Sequence, residues 1–528
     1  MLRPRGGAGR KAFGLKVLLV SVQRNLNILG LRYLHEHLLA HGHDSRLLFL
    51  NRYDDENAAA LERLRAFIAE FNPGMVGVSL TAYDYPHARP FSVRCKQWFP
   101  EIPLVWGGIH PTTEPEDSLN YADLIVRGEG EGALLDLVTA MEAGTSPDNI
   151  DNLGFRRGGE TRLNPVRPLI QDLDALPMLT QVPAAAWIHP GVEVEPLTLR
   201  HVRKYKMFRG AIYRIMVSRG CPMHCAYCAN SFLKGLYPDM KLRWRSTENI
   251  MRELELAVAE DPAIRAVTFA DDVLLSMSVD ALRDFCAQYK ARVGLPFMAK
   301  TTPAYITRER MDLLVGAGMG WVNVGLQDAN DRICKEVYKR PIGWEVFRRA
   351  ADLIHEYPVA PYYDLILNNP FATFEEDVKT AEMLLDLPRP YFLQPFSLTF
   401  YRGTEIRERA LRERPECVVE PEFKDCYHVE FVPKEAVKVI CTTIHRPVGR
   451  ALIRRLRRVP DGWLTQFLMD LAGFYHRMVL QPLTMLRLLR RSQKDSVLGA
   501  LKMLPVVVDF RFVTTFNLLH NTKDSTEE

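Results

Sequence analysis

The sequence has little of what marks a nucleic-acid-binding, secreted or membrane-spanning protein. Its net charge is only +4 over 528 residues, so no overall charge would attract a polyanion. The basic first residues, Met1–Lys16, lack the apolar stretch of a signal peptide. No run of about 18 uncharged apolar residues occurs, so a membrane-spanning helix is not expected. We therefore expect a cytoplasmic protein that does not bind nucleic acid.

Cysteine is also scarce, and the nine cysteines are not spaced like a disulfide framework. Three of them, Cys221, Cys225 and Cys228, lie within eight residues. In a reducing compartment such crowding indicates a metal site. The other six are scattered, which is typical of small buried hydrophobic side chains, so no second cluster is expected. Of these six, Cys417 and Cys426 are close enough in sequence to keep that question open.

Short apolar runs alternate with amphipathic stretches in two parts of the chain. In residues 1–145 this alternation predicts a doubly wound, Rossmann-like parallel sheet, and in residues 206–405 it predicts a partial (β/α)6 barrel. Both folds place ligands at the carboxyl ends of their strands. The proline-rich residues 146–205 are predicted to be a linker, and residues 406–528 a mostly helical segment. The expected fold class is α/β.

The three clustered cysteines follow a predicted barrel strand, Ile212–Ser218. Three thiolates can hold three irons of a cubane cluster, which leaves the fourth iron open for a small ligand. A structural zinc knuckle is the alternative, as is chance clustering. Zinc would require a fourth Cys or His, and His224 inside the loop is crowded by its neighbours.

This arrangement resembles the radical S-adenosylmethionine (SAM) superfamily over roughly residues 211–404. The resemblance implies a 4Fe–4S cluster on Cys221, Cys225 and Cys228, with SAM bound to the open iron. An electron from the cluster would cleave SAM to methionine and a 5′-deoxyadenosyl radical, which abstracts hydrogen from an unactivated carbon. A low-potential donor such as flavodoxin or ferredoxin would supply that electron.

Five further residues are expected to contact SAM through the same resemblance. Tyr227 lies inside the cysteine motif. Asp271 or Asp272, after the second strand, would meet the amino group, because a carboxylate suits a cation; both could instead be solvated loop acids. Lys300 would meet the SAM carboxylate, or be a surface lysine. Gln327 would bind the ribose where the family more usually has Glu.

Residues 16–145 resemble the cobalamin-binding domain that precedes many radical SAM barrels. The residues that carry the likeness follow the third, fourth and fifth predicted strands: Ser79, Thr81, Gly107, Gly108, His110, Gly128, Glu129 and Gly130. Glycines let the backbone approach a large ligand. A flavodoxin-like module without a ligand is the alternative. The family's cobalt-ligating His is replaced by Asn27, and an amide is a poor cobalt ligand, so we expect cobalamin without a histidine lower ligand.

The two resemblances together imply methyl transfer, in which one SAM methylates cobalamin and a second makes the radical. The first hypothesis is a C-methyltransferase that acts on an unactivated carbon of a small-molecule or lipid-like substrate. The second is a ring-forming or carbon–carbon-coupling enzyme in which cobalamin does not donate methyl. A cobalamin-binding regulatory module is a third, of another class, and the intact cysteine motif argues against it.

The C-terminal segment changes character, with 13 Lys or Arg against 4 Asp between Cys441 and His520. Apolar stretches such as Trp463–Tyr475 are interleaved with these charges. A basic amphipathic helix with aromatic side chains suits an anionic membrane interface, and would favour a lipid or isoprenoid-like substrate. A helical cap over the barrel mouth, with a solvated basic face, explains the pattern equally well.

Overall fold

The structure, a computed structural model, describes residues 14–51, 53–420, 426–427 and 429–492. The chain divides into two compact units, Met1–Tyr205 and Lys206–Glu528. Each unit has its own sheet and its own hydrophobic core.

The first unit is built on a sheet of nine strands among its described residues. In chain order these are β1 (Lys16–Ser21), β2 (Asp44–Phe49), β3 (Met75–Ser79), β4 (Leu104–Gly107), β5 (Leu124–Val126), β6 (Leu153–Arg157), β7 (Glu160–Leu163), β8 (Ala186–Ile188) and β9 (Glu195–Pro196). Their order across the sheet is β7-β6-β5-β4-β3-β1-β2-β8-β9. Strands β1 to β5 and β8 run parallel, while β6, β7 and β9 are antiparallel.

Most helices of this unit connect the parallel strands, whereas the last two follow β5 and β9. The helices are α1 (Leu29–Ala40), α2 (Ala58–Phe71), α3 (Tyr85–Trp98), α4 (Ile109–Thr113), α5 (Pro115–Ser118), α6 (Glu131–Ala143) and α7 (Leu199–Tyr205). Two hydrophobic cores pack against the β1–β5 strands. The strand order reverses between β1 and β3, so the doubly wound prediction is confirmed and the expected ligand crevice lies at the carboxyl ends of these two strands.

The prediction of a linker over residues 146–205 is wrong in this structure. Those residues supply β6 to β9 at the two edges of the sheet. Asn152 anchors them, because its side chain donates to the Arg127 carbonyl at 2.6 Å and its own carbonyl accepts from the Arg127 N–H at 2.9 Å. These strands are short and partly exposed, so they lack the apolar runs that revealed β1 to β5.

The second unit is built on six parallel strands in sequence order, flanked by a two-stranded ribbon. The sheet contains β10 (Ile212–Ile215), β13 (Ala266–Phe269), β14 (Phe297–Thr301), β15 (Met319–Gln327), β16 (Ala360–Leu367) and β17 (Phe392–Ser397), and the ribbon pairs β11 (Ser218–Arg219) with β12 (Arg243–Trp244). In the described part of the chain, β10 and β17 do not pair with each other, so the barrel is open. The first strand of the sheet ends at Ile215, three residues before the predicted end at Ser218.

Helices cover the outer face of this sheet. They are α8 (Ala229–Leu236), α9 (Thr247–Glu260), α10 (Val279–Arg292), α11 (Arg308–Ala317), α12 (Trp344–Ile354) and α13 (Phe374–Asp386). Several of these helices begin at a side-chain cap. The hydroxyl groups of Ser246, Ser278 and Thr373 each accept a hydrogen bond from the backbone N–H three residues later. Odd-numbered residues of β16 such as Tyr363 pack on the helices, so even-numbered ones such as Asp364 face the barrel interior.

The C-terminal part is helical, as predicted. It contains α14 (Glu405–Glu413), α15 (Pro433–Ile440), α16 (Arg446–Arg458), α17 (Trp463–Tyr475), a π-helical turn (His476–Leu480) and α18 (Gln481–Ser492). Lys438 of α15 is buried between Asp377 of α13 and Glu435, at 2.6 and 2.9 Å. No helix in the described ranges has the length and apolar character needed to span a membrane.

The last helix of the described residues, α18, packs at the start of β16. Its Leu488 and Met485 share a core with Ala360, the first residue of that strand. The Arg491 guanidinium donates to the carbonyls of Val359 and Tyr357 just before the strand. This helix therefore lies near the amino ends of the strands, opposite the edge where barrel chemistry gathers.

Candidate functional site

The cysteine loop begins directly after β11, the first strand of the two-stranded ribbon. Gly220, the residue before Cys221, has a φ of +100°, and a Cβ there would lie 3.1 Å from the Lys241 carbonyl oxygen. Only glycine adopts that turn without strain. The loop then closes on itself, because the Cys228 N–H donates to the Cys225 carbonyl at 3.0 Å, and α8 begins at Ala229.

The three thiols lie close enough together to interact electrostatically. Burial raises the pKa of Cys228 to about 12 and that of Cys221 in the same direction, and both thiols respond to the charge of Cys225. They would therefore ionise only on binding a cation. No three Cys, His, Asp or Glu side chains in the described ranges converge as ligands of one metal ion; in a cubane cluster each thiolate holds a different iron.

A lysine that the sequence analysis missed supports this loop. Lys234 of α8 donates from Nζ to the Met223 carbonyl at 2.9 Å, which places its charge beside all three thiols. Burial lowers the pKa of Lys234, and the thiols oppose that shift. A cation in this position would stabilise thiolates. The three donors, the neighbouring ammonium and the loop's place after β10 fit a three-cysteine iron–sulfur cluster.

Of the two adjacent aspartates, Asp271 supports the backbone that leads into this loop. Its Oδ1 accepts hydrogen bonds from the Ser218 N–H and hydroxyl, both at 2.5 Å, and from the Val217 N–H at 3.1 Å. Burial raises the pKa of Asp271 to about 6 despite these bonds. Because its oxygens are occupied by β10–β11 backbone, Asp271 is a positioning residue.

Asp272 instead lies exposed at the cysteine loop. Its Oδ2 accepts from the Asn230 amide at 2.7 Å, and its charge contributes to raising the pKa of both Cys221 and Cys228. The structure therefore assigns the two aspartates different positions, which the sequence could not separate. Asp272 is the one that a ligand of the cluster could meet.

Lys300 points to the barrel interior and faces a buried carboxylate. Burial raises the pKa of Asp364 to about 6, whereas its bond from the Asn323 amide at 2.8 Å and the nearby Lys300 charge lower it. Lys300 is half-buried and pairs in register with Asn323 on the next strand. The surface-lysine alternative does not hold, and Lys300, Asn323 and Asp364 form a polar group inside the sheet.

Gln327 ends β15 at a bulge, with a φ of +69°. Arg340 lies beside it: a Cβ on Gly325 would contact the Gln327 amide nitrogen at 2.6 Å and the Arg340 guanidinium at 3.2 Å. Arg340 is 4% exposed, and its guanidinium donates to the Gly325 carbonyl at 2.6 Å. Among the described residues its Nε has no partner and no carboxylate pairs with it. A buried unpaired cation suits an anionic group of a ligand.

Tyr227 packs inward from the cysteine motif. Its ring meets that of Tyr338 edge to face, with centroids 5.2 Å apart, and burial raises its pKa well above the ordinary value. The Arg340 charge reaches the same ring. Sequence reasoning missed Arg340 because no motif marks it. Its charge lowers the pKa of the buried Asp364, but no ion pair within 4 Å joins Arg340 to a carboxylate among the described residues.

In the first unit, two glycine loops meet at the carboxyl ends of β3, β4 and β5. Gly108 has a φ of +103°, and a Cβ there would lie 2.6 Å from the Leu80 carbonyl oxygen and 3.3 Å from the Ser79 hydroxyl. Thr112, which the sequence analysis missed, joins the loops by donating to the Gly108 carbonyl at 2.7 Å and accepting from the Gly128 N–H at 3.0 Å. This backbone-lined cradle fits a large cofactor that approaches the main chain closely.

The remaining predicted cobalamin residues have structural partners. Thr81 donates its N–H and hydroxyl to Asp84 at 2.9 and 2.8 Å. Glu129 accepts from the Ile170 N–H at 2.9 Å, and His110 is buried against the Tyr85 ring. Gly107 ends β4 and Gly130 precedes α6, and neither has a positive φ.

Asn27 lies in the loop between β1 and α1, beside the point where the strand order reverses. Its N–H donates to the Asn25 side chain at 2.8 Å in a local turn, and its own side chain is half-buried. This position at the carboxyl end of β1 is where the sequence analysis expected the cobalt-facing residue.

An open parallel barrel with a three-cysteine loop, joined in one chain to a doubly wound sheet with a glycine cradle, defines a radical enzyme with a second cofactor domain. Comparison with protein families gives the same result: residues 215–384 match the radical SAM superfamily and residues 15–138 match the B12 binding domain. The chain is a cobalamin-dependent radical SAM enzyme, and its cofactors are a 4Fe–4S cluster, SAM and cobalamin.

Curated relatives share part of the chain. An uncharacterized methyltransferase of Pyrococcus horikoshii is 29% identical over 350 residues, which is 65% of this chain and 71% of the relative. An anaerobic magnesium-protoporphyrin IX monomethyl ester cyclase of Synechocystis is 25% identical over 319 residues. The latter match covers 59% of this chain and only 58% of the cyclase, less than two thirds of its length.

Two solved structures share the fold. The radical SAM methyltransferase TsrM of Kitasatospora setae, with tryptophan substrate and a SAM analogue bound, aligns with a TM-score of 0.60 at 22% identity over 76% of this chain and 77% of its own. The cobalamin-dependent radical SAM enzyme OxsB, with aqua-cobalamin and SAM bound, aligns with a TM-score of 0.63 at 13% identity over 95% of this chain and 79% of its own.

Proposed function

We propose that this enzyme is a C-methyltransferase that acts on an unactivated carbon of a small-molecule substrate. The observation that supports it most is the presence, in one chain, of the three-cysteine loop after β10 and the B12 binding domain. When bound, the cluster supplies the electron that cleaves SAM, and cobalamin carries the methyl group. The methyltransferase name of the Pyrococcus relative supports the same reaction.

Named residues of the barrel would then bind SAM. Asp272, exposed beside the cysteine loop, would accept hydrogen bonds from the SAM amino group. Arg340, buried and unpaired among the described residues, would hold the SAM carboxylate, and Gln327 beside it would bind the ribose. This assignment gives Arg340, the more deeply buried cation, the carboxylate role first expected for Lys300; the charges of both residues lower the pKa of Asp364.

Anaerobic reconstitution with iron, sulfide and cobalamin tests the proposal. A low-potential one-electron donor, flavodoxin or ferredoxin, would be supplied as the reductant. We expect both 5′-deoxyadenosine and S-adenosylhomocysteine by mass spectrometry, because one SAM gives the radical and another gives the methyl group. Formation of 5′-deoxyadenosine alone would contradict methyl transfer while leaving radical chemistry intact.

A ring-forming reaction is the second candidate, because three of the curated relatives are named as cyclases. In that case the substrate would lose hydrogen rather than gain a methyl group. The mass of the product distinguishes the two reactions directly.

We further propose that a helical face of the C-terminal segment contacts an anionic membrane surface. The apolar residues Trp463, Phe467, Leu471, Phe474 and Met478 recur every three or four positions and are all exposed, Trp463 at 80%. The opposite side of the helix is anchored, since Thr465 and Met469 are buried. The stripe is therefore the unburied half of an amphipathic helix.

The π-helical turn after Tyr475 keeps this stripe continuous. A π turn takes in one extra residue, so Leu483, five residues after Met478, returns to the same face, and Leu486 follows it. Exposed arginines flank the stripe along the chain on both sides: Arg454, Arg458, Arg487 and Arg490. No acidic side chain pairs with these four in the part of the chain that the structure describes. Positive charge beside an aromatic and aliphatic face is complementary to anionic lipid.

A further inference from the structure

A cavity of about 290 Å³ lies between β17 and the C-terminal helices. Its walls are largely apolar, including Phe392 and Pro395 of β17, Ile440 of α15 and Met469 of α17. A volume near 300 Å³ is at the lower end of the range for ligand pockets, and apolar walls with few polar groups are typical of them. None of the residues discussed above for SAM or cobalamin lines it.

The histidine in the cavity wall is uncharged. His476 is buried, its Nδ1 is 2.6 Å from the Thr443 hydroxyl, and burial lowers its pKa to about 4. The imidazole is therefore neutral at physiological pH, so it cannot act as a counter-ion for a charged ligand. Two charged residues also line the cavity, the exposed Asp470 and the half-buried Arg477. The apolar part of the wall, with the neutral His476, suits a neutral chain or ring.

Two features connect the cavity to its surroundings. On the inside, Gln394 lines the cavity and pairs in register with Asp364, so their side chains lie on the same face of the sheet, next to Lys300. On the outside, Phe474 belongs both to the cavity wall and to the exposed apolar stripe. The cavity is thus bordered by a residue of the apolar stripe and by a residue on the same sheet face as Asp364.

We infer that this cavity binds a neutral aliphatic or isoprenoid chain of the substrate. The inference rests on the proposed function, since it assigns the chain to the molecule whose reacting carbon lies at the barrel interior. Hydrophobic walls would hold the chain, and Gln394 marks the side on which the remainder of the substrate approaches the SAM site. The substrate class is therefore an amphiphile with a chain long enough to enter from the helix face.

Gly473 offers a direct test, because it lines the cavity and a Cβ added there would meet no atom within 4 Å. Gly473→Leu should fill the cavity without a backbone clash, and Gly473→Ala is the matched control. The probe is N-phenyl-1-naphthylamine, a neutral apolar fluorophore, displaced by 1-dodecanol. We expect Gly473→Leu to weaken probe binding by about tenfold or more, and Gly473→Ala to leave it near the wild-type value.

A second variant detects probe that binds to the exposed apolar stripe rather than in the cavity. Phe467 lies on this stripe but not in the cavity wall, so Phe467→Ser should leave dodecanol-displaceable binding unchanged. Unchanged binding in a folded Gly473→Leu protein, or loss in Phe467→Ser alone, would overturn the inference. Formation of both 5′-deoxyadenosine and S-adenosylhomocysteine by reconstituted Gly473→Leu enzyme tests the proposed function separately, because the cavity does not include the SAM residues.

Discussion

At the scale of single residues, adjacent aspartates illustrate how burial separates two roles. Asp271→Ala would remove three hydrogen bonds to the backbone and hydroxyl of residues 217–218, and bonds to an ionisable carboxylate contribute about 1.5–3 kcal/mol each. We expect a lower melting temperature and poor iron retention. Asp272→Ala is the matched change at an exposed side chain, and should keep the melting temperature but raise the KM for SAM. Equal losses of melting temperature in the two variants would contradict the assignment of Asp271 to backbone support and Asp272 to SAM binding.

Asn27 carries a prediction about cobalt at the same scale. If it lies beneath the metal, Asn27→His should provide an imidazole ligand, which is a much better donor than an amide. Electron paramagnetic resonance of the cob(II)alamin form should then show nitrogen coupling that the wild type lacks. Asn25→His, at the exposed neighbouring position, is the control and should not show it. Nitrogen coupling in the wild-type protein would disprove the prediction of a lower face without histidine.

Several site residues could not have been predicted from sequence for a physical reason. The cysteines were recognisable because their chemistry depends on spacing along one loop. Arg340, Lys234 and Thr112 act through neighbours that are distant in sequence or through the lack of a partner, and neither property leaves a local pattern. Gln327 was predicted, but its positive φ at a strand bulge was not.

At the scale of elements, the C-terminal helix face is the feature that most needs a measurement. Wild-type protein should sediment with vesicles of phosphatidylglycerol and phosphatidylcholine, and less so as salt screens the arginines. Phe467→Asp combined with Leu471→Asp should abolish sedimentation by placing charge in the apolar stripe. Leu256→Asp, at a similarly exposed apolar position on α9, should not. A wild-type dimer that the double variant dissociates would assign this face to a second copy instead.

Elements with continuous buried runs were predictable, whereas edge strands were not. The buried run of β1 and the parallel strands of the barrel follow directly from apolar patterning. In contrast, β6 to β9 are short, partly exposed, and held by contacts such as that of Asn152 with Arg127. The position of α18 near the start of β16 likewise depends on tertiary contacts of Arg491 that no periodicity reveals.

At the scale of the whole molecule, the two compact units predict that the two cofactors bind independently. Each unit has its own core, so loss of one cofactor should not unfold the other unit. Cys225→Ala should therefore lose iron, sulfide and turnover but retain cobalamin, measured by metal analysis and visible absorption. Gly108→Val is the reciprocal change: its Cβ would meet the Leu80 carbonyl at 2.6 Å in a backbone conformation that favours glycine, which should deform the cradle. That variant should lose cobalamin and keep the cluster, and should still form 5′-deoxyadenosine from SAM. If either substitution removed both cofactors from a folded protein, binding in one unit would depend on the other, and the methyl and radical sites would have to assemble together.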